Sequence, residues 1–484
     1  MVFSSYIFLF YFLPAALALY YLMPIRLKNG LLTIVSYVFY GWANPLFMFI
    51  MLATTLIDYI AGLAIAWDGW KWSQPIKMLE PGVRSTRFQK MALICSLSSN
   101  LGLLGFFKYF NFAVDNIDAL AQWLGFPALG VVLRVTLPLG ISFYTFQSMS
   151  YTIDVYRGQA KALRNFTDFA CFVSMFPQLV AGPIIRFTEV ADQIGQRTHT
   201  LEKFARGAAF VSLGLAKKIL LANPCGKVAE VAFNSGSIST LDAWYGVVSY
   251  AFQIYFDFSG YSDIAIGLGL MLGFVFPKNF DSPYISGSIT EFWRRWHISF
   301  SRWILDYIFM PLQMRWRARR SAGTVLALAL TFLLSGLWHG AAWNFVVWGG
   351  LHGLLLGLEV ISGKTGFYQR LPRPVRIGLT FFIILITWVF FRAPDISSAF
   401  VYLGRMFALV PVTENAALIK GIIYQPYYLG IFFVSAFVTW FMPQTWDWTR
   451  VINWKKLLII ILLFFAAIAV LTTQAYNPFI YFIF

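Results

Sequence analysis

Long apolar runs alternate with short polar and basic stretches along the whole chain. Crossing a bilayer takes about 17–25 apolar residues in a helix. Runs of that kind lie near residues 5–23, 44–66, 91–110, 130–152, 206–222, 243–274, 323–360, 376–392, 424–442 and 457–476. The pattern predicts about 10–12 helical crossings. The first run follows Met1-Val-Phe-Ser-Ser-Tyr6, which lacks a basic n-region, so it reads as a retained helix and not a removed signal peptide. The apolar pattern continues to Phe484, which predicts no soluble tail.

Several runs are interrupted, at Pro138 and Gly140, at Pro177, Gly182 and Pro183, at Gly260, and at Gly336 and Gly340. A broken helix in lipid leaves backbone groups unpaired, and it persists only inside protein or beside a wet cavity. The breaks therefore predict re-entrant segments or a chamber within a helical shell, with space for a ligand at Gly336 and Gly340. Gly269 and Gly273, and likewise Gly349 and Gly353, have the four-residue spacing of close helix packing.

Composition places the chain firmly in the membrane class. Of 484 residues, 59% are hydrophobic and 12% charged, where soluble domains carry about 25% charged residues. The net charge of +16 sits in short loops, such as Arg26 to Lys28, Lys71 to Lys90, Arg197 to Lys218 and Lys364 to Arg376. That layout is the positive-inside signal of membrane topology and not a nucleic-acid surface. It predicts that these loops face the cytoplasm, that 393–425 faces outward and that the N-terminus lies outside. Cys95, Cys171 and Cys225 are scattered, with no spacing of a disulfide framework or metal site. No internal repeat, Walker loop or H-E-x-x-H is present.

Candidate chemistry concentrates between residues 297 and 352, which hold three of the four histidines. His339 lies in the middle of Ala322 to Ile361, a stretch without Lys, Arg or Asp and with Glu359 as its single acid. Ionisable groups at membrane depth are costly and by default functional, and imidazole is suited to proton transfer near neutral pH. Ser335, Trp338 and Asn344 surround His339 in sequence. A second cluster, Glu291-Phe-Trp-Arg294-Arg295-Trp296-His297, reads as a helix with Arg294 and His297 on one face. It is either an interfacial helix with tryptophan anchors or the entrance for an anionic donor. A third cluster holds Asp257 and Asp263, six apart, which could pair with Arg294 or Arg295 or form a proton relay. His352 reads as a packing residue or as a partner of another site residue.

Five segments in order resemble the membrane-bound O-acyltransferase family, and in particular its bacterial branch of polysaccharide O-acetyltransferases. They are Tyr151-Thr-Ile-Asp-Val-Tyr-Arg157, Phe176-Pro-Gln-Leu-Val-Ala-Gly-Pro-Ile185, Tyr255-Phe-Asp-Phe-Ser-Gly-Tyr-Ser-Asp263, Phe292-Trp-Arg-Arg-Trp-His-Ile-Ser299 and Leu337-Trp-His-Gly340. The resemblance implies an all-α polytopic membrane protein, a ring of tilted transmembrane and re-entrant helices around a central acyl-transfer chamber. It implies one integral-membrane domain over 1–484, with a catalytic core at about 130–400 in the bacterial inner membrane. It places the family's histidine at His339 and a second functional position, His in some members and Asn in others, at His297. Arg294, Arg295, Trp296, Trp338, Ser335, Asn344 and Asp257 are the candidate donor-binding residues. The implied activity moves an acetyl group from a cytoplasmic thioester donor, acetyl-CoA, toward an exopolysaccharide, alginate first among the acceptors. No bound cofactor is expected. Periplasmic acetyltransferases or acyl-carrier proteins of the polysaccharide system and membrane lipids are the expected partners. Two rivals remain at this level: a transporter, which broken helices suit equally well, and a noncatalytic scaffold that recruits a partner through 393–425.

Overall fold

The computed structural model describes the chain apart from residues 43, 68–73, 75, 81–84, 129, 132, 181, 364, 365, 412–415, 475 and 479–484. Parts of the predicted basic loop at 71–90, Lys364, one residue of the 176–185 motif, part of 393–425 and the end at Phe484 therefore lie outside the described residues. Among the described residues the regular structure is helical and no strand occurs. Six helices there are long and apolar enough to cross a membrane, and two shorter apolar helices span Ile7–Leu22 and Pro426–Phe441. This is an all-α polytopic membrane protein.

Six long apolar helices are fewer than the sequence pattern predicts, because several apolar runs form shorter helices or carry polar groups. The run at 130–152 becomes helical only at Ile141, after Gly140 adopts the left-handed conformation at φ 73°. A Cβ there would meet the Leu179 carbonyl oxygen at 2.5 Å, so the turn is built for glycine. The run at 323–360 divides into two helices at Gly340. The run at 243–274, by contrast, stays one helix straight through Gly260.

The chain forms two compact units. In the first, residues 1–207 and 265–277, three helices carry a polar core: α1 (Pro45–Ile65), α2 (Arg87–Trp123) and α3 (Ile141–Tyr156). Asn44 caps α1 through Leu46 N–H, with Pro45 at its first position. Thr86 and Gln89 form a capping box on α2. Asp58 of α1 is fully buried and accepts from Ser96 Oγ at 2.6 Å and from Asn100 Nδ2 at 2.8 Å, both on α2. Ser148 of α3 also donates to it. One carboxylate thus ties three helices together.

The second unit, residues 208–264 and 278–484, contains most of α4 (Thr240–Met271), the short helices α5 (Ile289–Arg295) and α6 (Ile298–Ile304), and the long helices α7 (Arg320–His339), α8 (Trp343–Ser362) and α9 (Arg373–Arg392). Gly214 and Gly260 face each other so closely that a Cβ on either would meet the other's carbonyl oxygen at 2.5 and 2.7 Å. Beside this contact a π-helical segment, Lys217–Ala222, aims adjacent lysines at α4. Lys217 pairs with Asp263 and Lys218 with Asp257, each at 2.7 Å. The two acids therefore pair with lysines and not with Arg294 or Arg295. The widened turn presents two neighbouring lysines to acids nearly two turns apart on an unbroken helix.

Helices α7 and α8 form a hairpin zipped by glycine. A Cβ at Gly349 would lie 2.2 Å from Phe332 O, and one at Gly336 would lie 2.3 Å from Phe345 O. Gly353 continues the stripe against Ala329. This is the small-residue contact expected from the Gly349–Gly353 spacing. It also corrects the expectation of open space at Gly336 and Gly340. Gly336 is filled by backbone, and a Cβ at Gly340 would overlap the Phe345 ring at 2.1 Å.

Candidate active site

The loop that carries His297 is pinned from several sides. Ser288 caps α5 by accepting from Glu291 N–H at 3.0 Å. Glu359 of α8 accepts from the N–H groups of Ile289 and Thr290 at 2.7 and 3.0 Å and from Thr290 Oγ1 at 2.6 Å. The single acid of the 322–361 stretch thus closes the first turn of α5. At its other end α5 stops at Arg295, and His297 takes a left-handed conformation at φ 43°. That conformation is strained for a residue with a Cβ. Backbone bonds from Asp281 N to Arg295 O (2.9 Å) and from Ile298 N to Asn279 O (2.8 Å) hold it in place.

Asn279 determines the state of the His297 ring. Its Oδ1 accepts from Ser299 N–H at 3.2 Å and from Ser299 Oγ at 2.9 Å, which fixes it as the carbonyl end of the amide. His297 Nδ1 lies 3.2 Å from the same oxygen and so carries the proton. The lone pair is then on Nε2, a buried atom with no hydrogen-bond partner among the described residues. Burial pushes the His297 pKa down to about 3, so the ring is neutral across the physiological range.

His339 closes α7 next to the hairpin turn and is buried, at 8% exposure. Its ring packs edge-on against Trp348 of α8 and Phe391 of α9, with centroids 5.1 and 5.2 Å away. Phe300 of α6 touches both imidazoles, stacked on His297 at 5.1 Å and edge-on to His339 at 5.6 Å. The two histidines, 42 positions apart in sequence, therefore share one aromatic neighbour. His352 lies one helical turn beyond Trp348 and accepts from Trp293 Nε1 at 3.2 Å. Ser335 Oγ, Trp348 Nε1 and His352 Nε2 are buried without a hydrogen-bond partner among the described residues, like His297 Nε2. Buried polar atoms are nearly always paired, and these four gather around one aromatic cluster.

The other candidate residues separate into two groups. Ser335 lies one turn before His339 on the same face of α7, and Trp338 stacks on Phe300 at 4.3 Å. Both belong to the cluster. Trp296 packs among Phe280, Phe292 and Trp388 as an aromatic core residue. Asn344 donates to the carbonyls of Phe390 and Ala393 at 3.1 and 2.7 Å and so closes the end of α9. Asp257 is held by Lys218. The expected shared face of Arg294 and His297 is absent, because α5 ends between them. Arg294 points to the exterior, while Arg295 is engaged by Glu291 at 3.0 Å and Asp281 at 3.5 Å. Asn279 and Glu359 escaped the sequence reading. Glu359 carried one signal, its isolation as the single acid in an apolar stretch.

Among known proteins, residues 159–393 match the family model described as MBOAT, membrane-bound O-acyltransferase family. The chain is 41% identical to the "Probable alginate O-acetylase AlgI" of Pseudomonas putida over the full length of both chains. It is 45% identical to the protein of the same name from Azotobacter vinelandii, over 84% of this chain and 78% of the other. It is 34% identical to the "Peptidoglycan O-acetyltransferase" of Helicobacter pylori, over 84% of this chain and 80% of the other. This degree of likeness over the full length of the chain establishes that it is an acyltransferase of the membrane-bound O-acyltransferase family.

Proposed function

We propose that the chain is the membrane O-acetyltransferase of an exopolysaccharide system, with alginate as the acceptor polymer and acetyl-CoA as the donor on the cytoplasmic side of the inner membrane. His339 acts as general base. It takes the proton of an acceptor hydroxyl as that oxygen attacks the thioester carbonyl carbon. The C–O bond forms, the C–S bond breaks, and the proton passes from the imidazole to the leaving thiolate. His297, neutral and with Nε2 as acceptor, orients the hydroxyl or the donor. The acetyl group then reaches the polymer with the help of a periplasmic acetyltransferase. The observation that carries this reading is the pair of buried imidazoles on Phe300, one with a fixed tautomer and an unpartnered nitrogen. The names of the relatives supply the acceptor and the acyl group.

The test uses purified wild type and His339→Ala in detergent with acetyl-labelled CoA, read as free CoA released and label transferred. A folded His339→Ala that loses at least about a hundredfold in rate supports the assignment, and equal turnover in both removes His339 from the chemistry. If neither turns over in isolation, the same pair is scored in cells by acetyl content of the polymer, where loss in the variant alone gives the same support. A second reading rests on Ser335, whose buried hydroxyl lies one turn from His339 on the same helix face. Here Ser335 carries the acetyl group between donor and acceptor, and mass spectrometry of the quenched enzyme detects an acetyl-serine at 335 in that case alone.

A further inference from the structure

Far from the histidine pair in sequence, the first unit holds a cluster of cations with no direct ion pair among the described residues. Lys28 opens the Lys28–Gly41 helix, just beyond the end of the apolar Ile7–Leu22 helix. It is buried, at 8% exposure, yet among the described residues its ammonium donates to a single acceptor, the Tyr20 carbonyl at 2.8 Å. The rest of its surroundings is aromatic, with the Tyr20 ring 4.1 Å and the Tyr21 ring 5.2 Å away. Arg197 approaches from the loop after the Phe187–Gly195 helix. Its Nε donates to Tyr20 Oη at 2.8 Å and its Nη1 to Asn29 Oδ1 at 2.7 Å, over the face of Phe274 at 4.4 Å. Its Nη2 is buried with no partner among the described residues. His199 Nε2 lies 2.8 Å from the same Tyr20 oxygen.

Among the described residues neither Lys28 nor Arg197 forms an ion pair. The one carboxylate in the network, Asp168, is held by Asn29 Nδ2 at 2.7 Å. Burial and then the Arg197 charge hold the Lys28 ammonium below its ordinary range, and burial followed by both cations lowers His199. Two like charges gathered round one tyrosine, with donors to spare, are unfavourable unless an anion completes them. Aromatic faces return only part of the hydration that a buried ammonium gives up.

We propose that Lys28 and Arg197, with His199 at the rim, form a binding site for a phosphate group. The free Nη2 of the guanidinium and the two spare ammonium donors match the several oxygens and the charge of a phosphate better than one side-chain carboxylate would. The N-terminus of the Lys28–Gly41 helix adds favourable dipole charge. The cluster adjoins the end of an apolar helix, the level at which lipid headgroups lie. The phosphate therefore comes either from an anionic phospholipid or from a water-soluble phosphate compound. The site is independent of the acyl-transfer reading.

The experiment follows the thermal midpoint of the full chain in neutral detergent by tryptophan fluorescence. One arm adds inorganic phosphate against matched chloride. The other adds dioleoylphosphatidylglycerol against dioleoylphosphatidylcholine in mixed micelles. The midpoint rises with concentration in at least one arm, and the apparent affinity falls about tenfold or more in Lys28→Gln and in Arg197→Gln. A rise with the lipid alone identifies a headgroup site, and a rise with inorganic phosphate identifies a site for soluble phosphates. Arg197→Lys, which keeps the charge, gives an intermediate affinity and stands in if Arg197→Gln does not fold. No rise in wild type in either arm, or an unchanged affinity in Lys28→Gln, overturns the proposal.

Discussion

Asn279 fixes the tautomer of His297, so under the proposed role of that ring its loss should damage catalysis more than folding. Asn279→Ala frees the ring to change tautomer, and kcat is expected to fall about 10–100-fold, by analogy with the groups that orient metal-bound histidines. Asn279→Asp separates this role from simple packing. A carboxylate at Nδ1 favours the protonated ring, so the rate should acquire an acid limb at higher pH than in wild type, visible in a pH–rate profile. Protonation also bears on stability. The folded ring titrates near 3 while the unfolded ring titrates near its ordinary value, 6.5. Unfolding therefore takes up a proton as the pH falls below that ordinary value, and the native state loses stability through this group as the pH falls further. Thermal midpoints measured from pH 6.5 down to 4 should fall less steeply in His297→Gln. His339 was legible in the sequence as an ionisable group in an apolar stretch, and His297 through its place in the Arg-Arg-Trp-His motif. Asn279 was not, because its partnership spans 18 positions and nothing in its own neighbourhood announces it.

Helix ends decided what the sequence could and could not say about the elements. The apolar stretch from 322 to 361 reads as one long segment, yet the structure folds it back at Gly340 and zips it with glycines. Gly349→Val places atoms where Phe332 O already lies, so the hairpin must open. The expected cost is about 1–3 kcal/mol, measured as a drop in thermal midpoint together with lost activity, since His339 ends one arm. The misplacement of Arg294 has the same origin. Residues 291–297 read as a continuous helix, and only the left-handed turn at His297 separates the arginine from the imidazole. Local periodicity carries no trace of that turn, which is fixed by bonds to the distant 279–281 segment.

At the level of the whole molecule, membrane class, helical architecture and family were readable from composition and ordered motifs. The pairing of charges was not, because four charged residues on two helices allow several pairings and only packing selects among them. The Lys218–Asp257 pair is nearly closed to solvent, with exposures of 3% and 1%. Removing one partner strands the other, so Lys218→Met alone should cost about 3–5 kcal/mol, and Lys218→Met with Asp257→Leu should recover most of the loss. Chemical or thermal unfolding of the two variants in the same detergent checks this. If Asp257 instead served the donor, the double variant would be stable and inactive.

The left-handed backbone at position 297 also restricts what can ever occupy it. Asparagine, aspartate and glycine enter that conformation readily, whereas β-branched side chains are excluded from it. A saturation library at 297, sorted only for folded, membrane-inserted protein, should keep Asn, Asp and Gly and discard Val, Ile and Thr. Mutation at this site thus draws on a short alphabet that the turn has already chosen, and His↔Asn exchange is the natural path along which the chemistry here can diverge.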